Sequence, residues 1–200
     1  MKKLLLTGFE PFLDHGVNPT ELIVKALDGK MIGDYQVIGR VLPVEFGRSA
    51  DVLLGFIQKL GPDAIISLGL AAGRDKITPE RVAINVNDGV ADNKGRVPVD
   101  EPIVKDGPDA YFSTLPIRQM VNALLENGIP AMISNSAGTY LCNNVMYSVR
   151  HYIEVSGKSI PAGFIHVPAS FELSVKNYEL SGWPLETIRY AVEIAVGELE

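Results

Sequence analysis

The stretch DAIISLGL, residues 63–70, is apolar at odd and even positions alike, and it constrains the fold more than any other part of the chain. A strand with one wet face alternates apolar and polar residues. One that is apolar on both sides needs cover on both sides, which a parallel sheet flanked by helices provides. KKLLLTGF (2–9), YQVIGRVLPV (35–44), AMISNS (131–136) and AGFIHVP (162–168) read as further strands, and RVAINVN (81–87) as a more exposed, alternating one. Helical patterns fill the gaps. Asn18-Pro19 is an N-cap followed by proline at the first helical position, opening a helix through Ala26. Val52, Leu53, Phe56 and Leu60 share one side of 47–60, and a helix over 116–127 closes on Gly128 and Pro130. Two more fit 142–154 and 185–199.

Strand and helix alternate almost throughout, which predicts an α/β class with a mostly parallel sheet. The expected architecture is a single domain over 1–200, a three-layer α/β/α sandwich around a twisted sheet. No repeat, low-complexity tract or linker divides the chain. The stretch 88–110, rich in Asp, Gly and Pro, is the longest irregular segment, and long loops in compact domains often carry function.

A net charge of −6 argues against nucleic acid as a main partner, because binding phosphates needs a basic face. The apolar start, LLL after Met1-Lys2-Lys3, is interrupted at once by Thr7, Gly8 and Glu10, too short for a signal-peptide core or a membrane span. Cys142 is the only cysteine, so no intrachain disulfide is possible and a reducing cytoplasm is the expected compartment.

Cys142 lies in SNSAGTYLCNNVMY (134–147), where a strand turns through Gly138 into a helix. In an open α/β sheet such turns lie at the carboxyl edge of the strands, where active sites gather. A thiol at a helix N-terminus faces unpaired N–H groups and the positive end of the dipole, and both favour thiolate. The competing reading is a buried cysteine packing as a small hydrophobe. Of the three histidines, His15 follows Asp14 in a polar turn and is expected to be solvated. His151 falls more than two helical turns beyond Cys142, out of reach. His166 stands at the end of an apolar strand, either as a core residue or as the base beside a thiol on a neighbouring strand end. With no second cysteine and no histidine pair at ligand spacing, no zinc site is expected. Among 24 carboxylates, Glu80 in ITPERVAIN is distinctive because it enters an apolar strand from the turn GLAAGRDK. On that signal alone, surface pairing with Arg81 or Arg74 is the better explanation. GLAAGR has neither P-loop nor G-x-G-x-x-G spacing, which removes the phosphate site that a phosphorylase-like hydrolase of the same fold type would need.

Together these segments resemble pyroglutamyl peptidase type I, a cysteine peptidase family. The likeness is collinear from Leu6 to about Pro168. It runs through LLTGFEPF (5–12) with Asn18-Pro19, LPVEF (42–46), GLAAGR…ITPERVAIN (69–85), GPDAYFSTLP (107–116), SNSAGTYLCN (134–143) and GFIHVP (163–168). The resemblance implies Cys142 as nucleophile, His166 as base and Glu80 as the group orienting His166. For that reaction, the backbone N–H groups at the helix start, those of Leu141 and Cys142, are positioned to hold the oxyanion. The resemblance further implies a ring pocket of Phe9, Phe12, Tyr140 and Leu141, with Asn18 nearby and Val44 as a further candidate. It also implies a pyroglutamyl-peptide substrate, no cofactor and a homo-oligomer, dimer or tetramer. Residues 89–93, GVADN, depart from the family's ARIPDN-like stretch by one residue and an arginine, and ASFELSVKN after Pro168 departs as well. Outside the family, the alternative is a non-catalytic α/β binding protein in which Cys142 is inert.

Overall fold

The computed structural model describes residues 1–12 and 16–199, so the expectation for His15 lies outside the described residues. The first half of the chain forms β1 (Lys2–Phe9), α1 (Pro19–Leu27), β2 (Met31–Ile32), β3 (Tyr35–Leu42), α2 (Arg48–Leu60), β4 (Ala64–Leu70), β5 (Thr78–Pro79) and β6 (Val82–Ile84). The second half adds β7 (Ala110–Phe112), α3 (Ile117–Glu126), α4 (Leu141–Val155) and β8 (Ala162–Val167). It ends with β9 (Ala169–Ser170), α5 (Phe171–Ser174), β10 (Gly182–Trp183) and α6 (Leu185–Gly197).

The main sheet has the order β2-β3-β1-β4-β8-β5, with β3, β1, β4 and β8 parallel and the two-residue edge strands β2 and β5 antiparallel to their neighbours. Every side chain of β4 and β8 is buried, as a strand covered on both faces requires. The pleat sorts them. Leu4 and Leu6 of β1, Ile66 and Leu68 of β4, and Ile165 and Val167 of β8 join a core with residues of α1, α3 and α6. Leu5 and Phe9, Ile65, and Ala162 and Phe164 face the opposite way, into a core with α2 and α4. The result is the expected three-layer α/β/α sandwich. Each large side chain in these layers contributes roughly 1.5–3 kcal/mol by burial. The alternation also decides where chemistry can sit, because His166 follows Phe164 by two and shares the α4 face.

The start of α1 is as the sequence predicts: the Asn18 side chain accepts from the Thr20 N–H at 3.1 Å, and Pro19 follows. Two expectations need correction. The strand expected over 81–87 is only Val82–Ile84, paired with β7 in a separate two-stranded sheet. The strand expected over 131–136 is reduced to isolated parallel bridges at Ala131 and Ser134. That segment does run beside β5. Ile77 N–H donates to Pro130 O, Met132 N–H to Ile77 O, Ser134 N–H to Pro79 O and Arg81 N–H to Ser134 O. Pro79 has no N–H to give, and the ladder breaks there. Among the described residues no helix is long and apolar enough to cross a membrane.

Candidate active site

The parallel register of β4 and β8 sets Gly69 opposite His166, at the carboxyl end of both strands. Antiparallel pairing of β5 with β8 sets Thr78 opposite His166 from the other side. Glu80, two residues on, is held by its N–H on the Phe164 carbonyl at 2.9 Å, and its carboxylate reaches back to the imidazole. His166 Nδ1–H donates to Glu80 Oε1 at 2.7 Å, and Glu80 is fully buried. A carboxylate acceptor fixes the tautomer, so Nε2 carries the lone pair. The surface pairing considered for Glu80 is therefore half right: Arg74 Nη1 does donate to the same Oε1, at 2.6 Å, but the carboxylate it meets is in the interior. Arg81 turns away to Asn135 Oδ1 at 2.7 Å.

Cys142 is partly buried in the first turn of α4. Gly69 makes room for it. A Cβ at Gly69 would stand 2.8 Å from Cys142 Sγ and 2.6 Å from the Phe164 ring, so any side chain there displaces the thiol or the floor beneath it. The N-cap of α4 is Tyr140, with extended backbone and no side-chain cap bond, and no acidic residue occupies the first turn. The amides that open α4 thus keep their hydrogen-bonding capacity.

The electrostatics correct one expectation. The place of Cys142 at a helix N-terminus predicts a depressed thiol. Burial instead pushes Cys142 up to about 12, with the Glu80 charge adding to the rise, against smaller lowering by Arg74 and the residue's own N–H. The sulfur lies close over Gly69, and burial there disfavours its charged form. His166 is held below its ordinary value of 6.5, again by burial first, which outweighs the raising effect of Glu80. Burial alone would raise Glu80, but the hydrogen bond and charge of His166, with Ser134 and Arg74, hold it below the ordinary carboxylate value. Burial thus works against the charged forms of Cys142 and His166, while the contacts of Glu80 favour its carboxylate form.

Cys142 and His166 open into one cavity of about 220 Å³. Phe9, Phe12, Asn18, Val44, Tyr140 and Leu141, all named from the sequence, line it together with Leu70 and Ala137. Those two additions had a positional signal: Leu70 ends β4 one residue after Gly69, and Ala137 sits in the turn before Cys142. Asn18 lines the wall with its side chain already committed, Oδ1 to Thr20 and Nδ2 to the Glu10 carbonyl at 3.1 Å. Tyr140 is wedged between Phe12 (ring centroids 6.3 Å apart) and Phe46 (5.1 Å, edge-on).

The departing loop 89–93 props this wall from behind. Ala91 O accepts from the Tyr140 hydroxyl at 3.2 Å, and a Cβ at Gly89 would come within 3.0 Å of the Tyr140 ring. Asn93 Nδ2 donates to Glu10 Oε1 and Pro11 O, both at 3.0 Å. Asn143, next to the cysteine, spends its side chain on β6: it bonds Ile84 N–H at 2.8 Å and the carbonyls of Ile84 and Val86 at 2.9 Å. Among the described residues no group of three His, Cys, Asp or Glu side chains is arranged to hold a metal.

Comparisons with known proteins agree with this geometry. A family model described as pyroglutamyl peptidase matches residues 2–199. The pyrrolidone-carboxylate peptidase of Halalkalibacterium halodurans is 53% identical over 197 residues, 98% of each chain. That of Oceanobacillus iheyensis is 54% identical over 200 residues, the whole of both chains. Among solved structures, pyrrolidone carboxyl peptidase from Thermococcus litoralis superposes with a TM-score of 0.95 at 45% identity, covering 99% of this chain and 93% of that one. Pyroglutamyl peptidase I of Bacillus amyloliquefaciens gives 0.95 at 40% identity, covering 99% and 96%.

Proposed function

Since this chain belongs to the pyroglutamyl peptidase family, we propose that it removes an N-terminal pyroglutamyl residue from peptides through an acyl-enzyme on Cys142, acting as one catalytic domain. The observation that carries the reading is the hydrogen-bonded His166–Glu80 pair opening, with the chain's only thiol, into one apolar cavity. His166 Nε2 takes the Cys142 proton as the sulfur adds to the carbonyl linking the ring to the second residue. Glu80 stabilises the imidazolium that forms. His166 then gives that proton to the leaving amine. A water, deprotonated by His166, attacks the thioester carbonyl, and collapse returns the proton to sulfur and releases pyroglutamate. The Leu141 and Cys142 N–H groups at the start of α4 hold the oxyanion in both steps.

A pyroglutamyl ring is a neutral lactam, which suits walls of Phe9, Phe12, Val44, Tyr140 and Leu141. A peptide beginning with glutamine or proline carries a charge, and among the lining residues there is no carboxylate to receive it. Stripping that charge of water costs roughly several kcal/mol. The lone thiol supports a cytoplasmic setting, and the family resemblance supports a homo-oligomer. The test is kcat/KM on matched pyroglutamyl, prolyl and glutaminyl amides. Selectivity for the pyroglutamyl amide by about 10⁴ is expected, because an ammonium stripped of water meets no carboxylate in this wall. Phe12→Ala should raise KM for the pyroglutamyl amide without admitting the charged ones. Comparable wild-type rates on all three would replace this reading with a general aminopeptidase.

A further inference from the structure

One buried carboxylate oxygen in this molecule serves two donors. Glu80 Oε1 receives both His166 Nδ1–H and Arg74 Nη1–H. We propose that Arg74 is a positioning residue for the peptidase reaction: its guanidinium clamps the oxygen that His166 uses, and so fixes the base through Glu80 without touching substrate. The inference rests on the reading of His166 as base.

Three observations support it. First, Arg74 is anchored at several points, each leading to a different part of the site. Nη1 also donates to Thr78 Oγ1 at 2.7 Å, and Thr78 stands opposite His166 in the β5–β8 pair. Nη2 donates to the Ser136 carbonyl at 3.2 Å, one residue before Ala137 of the cavity wall and in the turn that delivers Cys142. The Arg74 N–H closes a turn on Ala71 O at 2.8 Å, and Ala71 N–H hangs on Val167 O, next to His166, at 2.9 Å. One residue, through its side chain and its backbone, therefore ties together the segments bearing Glu80, His166 and Cys142. Second, Arg74 lines a separate, polar cavity with Lys76, Ser134 and Asn135, and is not among the residues around the apolar one. Its cation is placed behind the reacting groups. Third, a guanidinium never deprotonates in a protein, so it is a fixed positive charge beside a fully buried carboxylate. That charge lowers both His166 and Cys142.

Removing it should therefore act on chemistry and on its pH dependence. In Arg74→Gln, kcat on a pyroglutamyl amide should fall roughly 10- to 100-fold, less than the ~10⁴-fold seen when an orienting carboxylate itself is replaced. KM should stay within about threefold. The acid limb of kcat/KM, which reports protonation of the base in the free enzyme, should move to higher pH. Arg74→Lys keeps a charge but loses the fork. It should hold the limb near its wild-type position and recover part of kcat. Should Arg74→Gln fail to fold, Arg74→Lys still decides, through a fall in kcat at constant KM. An unmoved limb in Arg74→Gln, a loss carried by KM with kcat intact, or an Arg74→Lys variant no better than Arg74→Gln would each overturn the proposal. The wild type is assayed alongside. If it releases no pyroglutamate, the peptidase reading falls and this inference with it; if it turns over normally and the Arg74 variants match it, only this inference falls.

Discussion

Two histidines in this molecule each engage a side-chain oxygen through Nδ1, and their surroundings give them different capacities. His166, at the sheet edge, donates to a buried carboxylate at 2.7 Å. His151, half-buried farther along α4, meets the Tyr111 hydroxyl at 2.9 Å and stacks on Tyr147, the planes 8° apart. Geometry alone barely separates them. The partner's charge does. Burial, reinforced by Glu154, raises Tyr111 above its ordinary value, so it stays a neutral phenol with no charge to offer an imidazolium. Glu80 is an anion whose charge balances one. The second difference is distance: nine residues of helix separate Cys142 from His151, about 13.5 Å along the axis. The Tyr111–Tyr147–His151 cluster instead fastens the irregular segment to α4, with Tyr147 donating to the Pro108 carbonyl at 2.6 Å.

The comparison breaks if the two histidines trade consequences. His166→Gln should lower kcat/KM for a pyroglutamyl amide by ~10³-fold or more, whereas His151→Gln should stay within about twofold and lose a little thermal stability. Similar losses in both would mean that the distinction drawn from the partner's charge is wrong. A smaller effect sharpens the point by touching only the partner. Glu80→Gln preserves a hydrogen bond to the imidazole but not the charge. Steady-state kinetics should show kcat reduced roughly 10²- to 10⁴-fold, with a much smaller change in KM. An unchanged kcat would move the orienting role elsewhere.

The smallest effect is on stability against pH. His166 is held below 6.5 in the folded protein, so the unfolded chain takes up that proton first on acidification. Glu80 is held below its ordinary 4.5, so it too favours the folded state less as pH falls. Both signs agree: stability is lost on acidification, from about pH 6.5 downward through His166 and from about 4.5 downward through Glu80. The melting temperature should follow that course in wild type, and His166→Gln should flatten its upper part. An unaltered profile in that variant would contradict the burial assigned to the ring.

Much of this was legible in the sequence, and the gaps have physical causes. The runs 2–9, 64–70 and 162–167 declared themselves because strands covered on both faces cannot hide their apolar character. Cys142 and His166 stood out by scarcity. Glu80 is marked only by its entry into an apolar strand, a signal that surface pairing also explains, and its role comes from a partner 86 residues away. The strand that delivers it, β5, is two residues long and includes a proline, so it has no periodicity to read. The same proline turned the expected strand over 131–136 into two bridges. A dipole is visible in a helix start, whereas the desolvation of the Cys142 thiol depends on what packs above it, which residue types alone do not show. The work of residues 89–93 was likewise invisible, since backbone carbonyls and a glycine's missing side chain leave no mark in a pattern of residue types.

The proposed nucleophile can be tested most directly because Cys142 is the only cysteine in the chain, so any thiol-directed reagent reports on one atom. Iodoacetamide incorporation, counted by intact mass, is followed alongside release of a chromophore from a pyroglutamyl amide. Activity should disappear in step with the addition of one carbamidomethyl group, and the pyroglutamyl amide should slow both. A fully alkylated protein that still turns over the amide would contradict the account.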